Sequence, residues 1–72
     1  MKKIDWVIKA RKLLGLNITQ AAELIGIQRA YLSNIENGNT KLTNDYFFRI
    51  MKAYNYELSI NISKNGHSDV IL

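Results

Sequence analysis

The sequence contains no cysteine and no proline. Without cysteine, neither a disulfide framework nor a cysteine-ligated zinc ion can stabilise the fold, so stability must come from packed helices or from a partner subunit. No apolar run approaches the roughly 18 residues that a membrane span requires, and Asp5 and Lys9 interrupt the first hydrophobic stretch. We therefore expect a cytoplasmic protein with no membrane partner.

Acidic residues are few: six Asp and Glu stand against ten Lys and Arg, for a net charge of +4. A positive balance favours polyanionic partners such as nucleic acid. At 72 residues the chain is expected to form one small domain. No nucleophile–base pair, carboxylate pair or phosphate-cradling glycine loop is visible, and His67 has no second ligand near it. We expect no enzyme, no cofactor and no metal.

The four glycines, at positions 15, 26, 38 and 66, separate segments of helical periodicity. The spacing predicts a helix over 2–15, a second of two turns ending at Gly26, a third over about 28–36 and a fourth that begins at Thr43. Asn17 is a good N-cap for the second helix, and Gln20 stands where a capping box needs it. The fold class is therefore all-α, with four to five short helices.

From residue 56 the pattern alternates, since Leu58, Ile60 and Ile62 are separated by polar residues. This period of two predicts a half-buried β-strand over 56–63, which Asn65-Gly66 could turn into a hairpin with "DVIL". A lone strand on a helical domain has no partner, so we expect it to pair with the same strand of a second subunit. The predicted dimer interface is Tyr54, Leu58, Ile60 and Ile62.

Residues 20–36 have the spacing of a helix-turn-helix. Small Ala22 allows close helix approach, Gly26 makes the turn, and Leu32 and Ile35 anchor the second helix. Polar residues then face outward, where side-chain donors and acceptors can read base edges in the major groove of DNA. The expected base-reading and phosphate-contacting residues are Gln28, Arg29, Ala30, Tyr31, Ser33, Asn34, Asn37, Asn39, Thr40 and Lys41.

The stretch "LLGLNITQAAELIGIQRAYLSNIENGNTKL" resembles, without gaps, the helix-turn-helix of the Cro-like or XRE-type family, which includes lambdoid phage repressors. The resemblance covers about residues 10–55. It implies binding to double-stranded DNA, and an ion pair between Arg11 and Glu36 that braces the first helix against the recognition helix. One position departs from the family pattern: Ile18 stands where a phosphate-bonding Gln usually follows the N-cap, so that contact is lost or Gln20 replaces it.

A narrower similarity begins at "KLTNDYFFRIMKAYNYELSINIS", which looks like the end of HipB-like antitoxins. In those proteins a helix with a Phe-Phe pair leads into a strand at the dimer centre. The resemblance implies a homodimeric repressor that autoregulates its operon and binds a HipA-like toxin kinase.

These observations predict a DNA-binding domain over 1–55 and a dimerising strand or tail over 56–72. The predicted function is sequence-specific transcriptional repression at a palindromic operator, as the antitoxin of a HipA-like kinase. The alternative is a phage-type repressor, or another small XRE-family regulator, without a toxin partner.

Overall fold

The structure, a computed structural model, describes residues 2–64, with side-chain environments for residues 2–60. Four helices follow one another: α1 (Lys3–Leu13), α2 (Ile18–Ile25), α3 (Arg29–Glu36) and α4 (Asn44–Lys64). The long α4 packs against α1 and α2, while α3 packs against α2 and α1. None of these helices is both long and apolar enough to cross a membrane.

Local signals set the helix ends. At the start of α2, Asn17 Oδ1 accepts from Gln20 N at 2.8 Å and Gln20 Oε1 accepts from Asn17 N at 3.0 Å, which is the predicted capping box. At the start of α4, Thr43 Oγ1 accepts from Tyr46 N at 3.2 Å, as expected of an N-cap. These bonds satisfy backbone N–H groups that have no partner within their own helix.

The turn between α2 and α3 depends on Gly26. This residue lies in the left-handed region, at φ 86° and ψ 34°, and ends α2. A side chain is strained at that φ, and an added Cβ would also lie 3.4 Å from Arg49 Nη2. Glycine therefore allows the chain to leave α2 and begin α3 only three residues later.

The core is formed by side chains from every helix. Leu32 and Ile35 of α3 are completely buried, as are Val7 of α1 and Ile50 of α4. Small Ala21 and Ala22 bring α2 close to its neighbours. Among residues 2–60, the buried side chains are Val7, Ala21, Ala22, Ile25, Leu32, Ile35, Leu42, Ile50 and Tyr54.

The predicted strand over 56–63 is wrong in the part of the chain that the structure describes, because α4 continues through these residues to Lys64. The alternation was ambiguous: Tyr54 and Leu58 are also four residues apart, so they fit one helix face as well as one strand face. Extending an existing helix adds a hydrogen bond per residue, whereas a lone strand leaves its backbone groups unpaired. The proposed hairpin through Asn65-Gly66 lies outside the described residues.

Candidate nucleic-acid interface

Helix α3 has one buried face and one exposed face. Leu32 and Ile35 point into the core, and Arg29, Ala30 and Asn34 are exposed. Ser33 on the same side is half-buried, and its Oγ accepts from Asn37 Nδ2 at 3.4 Å. The outward face therefore carries a cation, two amides, a hydroxyl and a methyl group, which are the groups that read base edges in a major groove.

The loop after α3 folds back onto the end of the helix. The Asn34 carbonyl accepts from Asn39 N at 2.9 Å and from Thr40 N at 3.2 Å. Thr40 is half-buried, while Asn39 and Lys41 remain exposed. The loop residues that the sequence assigned to phosphate contact are thus held beside the exposed face of α3.

An open groove of about 480 Å³ lies at the other end of α3, between the α2–α3 turn and α4. Gln28 and Tyr31 line it, and so do Tyr46 and Arg49, which the sequence reasoning did not assign to the site. No sequence pattern links α4 to the turn; only the packing of α4 against α2 brings them together. Arg49 Nη2 donates to the carbonyls of Ile25 at 3.4 Å and Gly26 at 3.2 Å, so α4 also holds the turn.

The rings of Tyr31 and Tyr46 meet edge to face, with their centroids 5.1 Å apart. The guanidinium carbon of Arg49 lies 5.8 Å from the centroid of the Tyr46 ring, within the range of a cation–π contact. Desolvation raises the pKa of Tyr31, and the neighbouring Tyr46 raises it further. The Tyr31 hydroxyl therefore stays protonated and remains a hydrogen-bond donor at neutral pH.

A bidentate ion pair joins α1 to the end of α3. Arg11 Nε and Nη2 donate to the two carboxylate oxygens of Glu36, each at 2.9 Å, and Arg11 Nη1 donates to the Leu16 carbonyl at 2.9 Å. The side chains are 15% and 7% exposed, respectively. The hydrogen bonds that Arg11 donates to Glu36 raise the pKa of Arg11, although burial opposes the shift. The structure thus brings together the pair that the resemblance implied, and it fixes α1 against the end of α3.

Comparison with protein-family models gives one decisive match: a model described as helix-turn-helix covers residues 7–61, most of the chain. The chain belongs to the helix-turn-helix family. Membership supports the broader resemblance to Cro-like and XRE-type proteins and makes the chain a DNA-binding regulator of that type. Comparisons with the curated proteins and with the solved structures gave no match. The similarity to HipB-like antitoxins stays a prediction.

Ile18, the first residue of α2, departs from the usual helix-turn-helix pattern. Its side chain is half-buried and packs against the core, so it offers apolar contact rather than a hydrogen bond to phosphate. Gln20 is exposed, and its Oε1 is occupied by the capping box. Within the described residues, the Gln20 amide nitrogen has no acceptor and remains available as a donor at this end of α2.

The four residues predicted for the dimer interface have different environments. Tyr54 is 1% exposed and belongs to the core of this helix-turn-helix domain, so it has no surface to offer a partner. Leu58 is half-buried, and Ile60 is 40% exposed. The side chain of Ile62 lies outside the described residues. Burial strongly raises the pKa of Tyr54, Glu36 adds to the increase and Arg11 opposes it, so this hydroxyl stays neutral.

Proposed function

We propose that this protein is a sequence-specific transcriptional repressor that binds a palindromic operator as a homodimer. The observation that supports this most directly is the exposed face of α3, where Arg29, Ala30 and Asn34 are free to contact DNA while Leu32 and Ile35 hold the helix to the core. Repression requires only that the operator be occupied, and a small rigid domain can do this.

Each group on this face has a chemical counterpart in the major groove. The guanidinium of Arg29 can donate two parallel bonds to O6 and N7 of guanine, and the amide of Asn34 can pair with N6 and N7 of adenine. The methyl group of Ala30 can contact the methyl group of thymine. Asn37, Asn39, Thr40 and Lys41 follow at the end of the helix, where contacts to phosphate fix its position without specifying sequence.

Replacing Arg29 by Ala is expected to remove most of the preference for the operator. A bidentate contact to guanine contributes about 1–3 kcal/mol of discrimination, and the dimer would make two of them, so operator affinity should fall roughly a hundredfold or more. The operator is first recovered by selecting bound duplexes from a random pool; affinities for that duplex and for a scrambled duplex are then compared. Lys12→Ala, which removes an exposed cation from α1, serves as the matched control. An equal loss on both duplexes would mean that Arg29 contacts phosphate alone.

The small size of the recognition helix is an argument for a dimer. The eight residues of α3 span about 12 Å, which is roughly four base pairs, and so short a site recurs too often to be specific. Two copies with their recognition helices about 34 Å apart would read successive major grooves. The outer side of α4 exposes Tyr56 and Ile60, apolar area that a second copy can cover.

Ile60→Glu is expected to convert the dimer into a monomer, because a carboxylate would be buried against the partner's apolar side chains. Analytical ultracentrifugation measures the mass directly. Leu13→Glu is the control, since Leu13 is a similar exposed aliphatic residue on α1. A dimer that survives Ile60→Glu would place the interface elsewhere.

The second candidate function is that of an antitoxin that restrains a HipA-like kinase. Exposed Phe48, the second residue of the Phe-Phe pair that resembles HipB-like proteins, favours this proposal as a partner contact away from α3. The continuation of α4 to Lys64 counts against it, because the resemblance included a helix-to-strand transition before that residue. The test is co-purification with the kinase encoded by an adjacent reading frame. A repressor whose neighbouring genes encode no kinase is the phage-type alternative.

A further inference from the structure

The side chains that line the groove at the start of α3 carry more hydrogen-bond donors than the contacts that hold the α2–α3 turn require. Arg49 is exposed, and only its Nη2 donates to the turn carbonyls; within the described residues, its Nε and Nη1 have no acceptor. Arginine places its donors in one rigid plane. The bonds to Ile25 and Gly26 therefore fix that plane and leave its other two donor nitrogens for a ligand.

Two tyrosines extend the same surface. Tyr46 lies beside the guanidinium and meets Tyr31 edge to face, and both tyrosines line the groove. Gln28, the N-cap residue of α3, is exposed and makes no side-chain capping bond, in contrast to Asn17 on α2. One charged donor and several neutral donors thus lie around a single opening, with no carboxylate among the lining residues.

The ligand class follows from this chemistry and from the position of the groove. A planar cation with nearby hydroxyl donors suits a phosphate oxygen, since hydrogen bonds to a charged acceptor are the strongest of their kind. Gln28 and Tyr31 belong both to the groove and to α3, so a duplex that places its major groove on Arg29 and Asn34 brings its backbone to this opening.

We infer that Tyr46 and Arg49 of α4, together with Tyr31 and Gln28, form a binding site for one DNA backbone phosphate at the start of the recognition helix. This inference rests on the proposed function, because it requires α3 to lie in the major groove. The site lies at the carboxyl end of α2, the opposite end from Ile18, so it adds a separate backbone contact. Its contribution is independent of base sequence.

The test uses Arg49→Gln, which retains a donor for the turn carbonyls but removes the charge. Affinity for the selected operator should fall roughly tenfold for each protomer, and the slope of log affinity against log salt should decrease by about 0.9 for each protomer. Lys12→Gln, which neutralises an exposed lysine of α1 outside the groove, is the matched control and should leave the slope unchanged. Circular dichroism confirms that each variant is folded.

Arg49→Lys separates phosphate binding from support of the turn. Lysine keeps the charge, so the salt slope should return to the wild-type value. It cannot bond the turn and a phosphate from one plane, so it loses the support of the turn. Tyr46→Phe removes the neutral donor and should lower operator affinity, and it carries the inference if Arg49→Gln does not fold. Ethylation of single phosphates should reveal one position that weakens the wild-type protein and has no effect on Arg49→Gln.

Two results would overturn the inference. One is an unchanged salt slope in Arg49→Gln; the other is an Arg49→Lys variant that loses as much affinity as Arg49→Gln, which would make Arg49 a support of the turn alone. In either case a wild-type protein that still selects an operator leaves the proposed function intact. A wild-type protein that selects no duplex contradicts the proposed function itself.

Discussion

Replacing Glu36 by Gln is expected to lower the free energy of unfolding by about 3 kcal/mol or more. The change leaves Arg11, 15% exposed, beside a neutral amide, and removing one partner from a buried ion pair costs roughly 3–5 kcal/mol. At about 0.05–0.15 kcal/mol per residue, a domain of 72 residues has only about 4–11 kcal/mol in total. Urea unfolding followed by circular dichroism measures the loss.

Two controls make the Glu36 result specific. Glu23→Gln neutralises an exposed carboxylate on α2 and should change stability by less than about 0.5 kcal/mol. The double variant Arg11→Met/Glu36→Leu removes both charges and should be more stable than Glu36→Gln, because no unpaired charge remains. It will not fully recover, since Arg11 also donates to the Leu16 carbonyl. A Glu36→Gln protein as stable as wild type would show that the ion pair does not brace α3.

Operator affinity is expected to fall by a factor of about a thousand or more between 50 and 200 mM salt. A dimer that makes six or more phosphate contacts releases about 0.9 counterions for each of them, so log affinity falls steeply with log salt. The candidate contacts in each protomer include Lys41 and Asn39 in the loop after α3, both exposed. Fluorescence anisotropy of a labelled duplex over a salt series gives the slope.

Lys41→Gln and Lys12→Gln form a matched pair for the salt experiment, because both neutralise an exposed lysine and only Lys41 adjoins the recognition face. The slope should decrease by about 0.9 per protomer for Lys41→Gln and stay constant for Lys12→Gln. An affinity that does not respond to salt would contradict phosphate binding and, with it, the proposed mode of DNA recognition.

Much of the candidate site was predictable because its signals are local. The reciprocal capping of Asn17 and Gln20, the left-handed turn at Gly26 and the burial of Leu32 and Ile35 all depend on residues within a few positions of one another. Helical spacing then left Arg29 and Asn34 on the exposed side. The Arg11–Glu36 pair spans 25 positions and was expected only from the family resemblance.

The predictions that differ from the structure concern segments whose local pattern fits both a helix and a strand, or both a core and an interface. Leu58 and Ile60 alternate with polar residues as in a strand, but Leu58 also follows Tyr54 by one helical turn. Tyr54 is completely buried within its own chain, which no periodicity could distinguish from burial in a dimer. Long-range packing of α4 against α1 and α2 decided the burial of Tyr54, and propagation of the helix decided the conformation of residues 58–64.

The sequence by itself determined the helix-turn-helix and its outward face, since capping, glycine turns and helical spacing act over a few residues. The tertiary structure alone decided the burial of Tyr54 and the position of Arg49 over the α2–α3 turn. Those features depend on which helix packs against which, and close packing joins residues more than 20 positions apart.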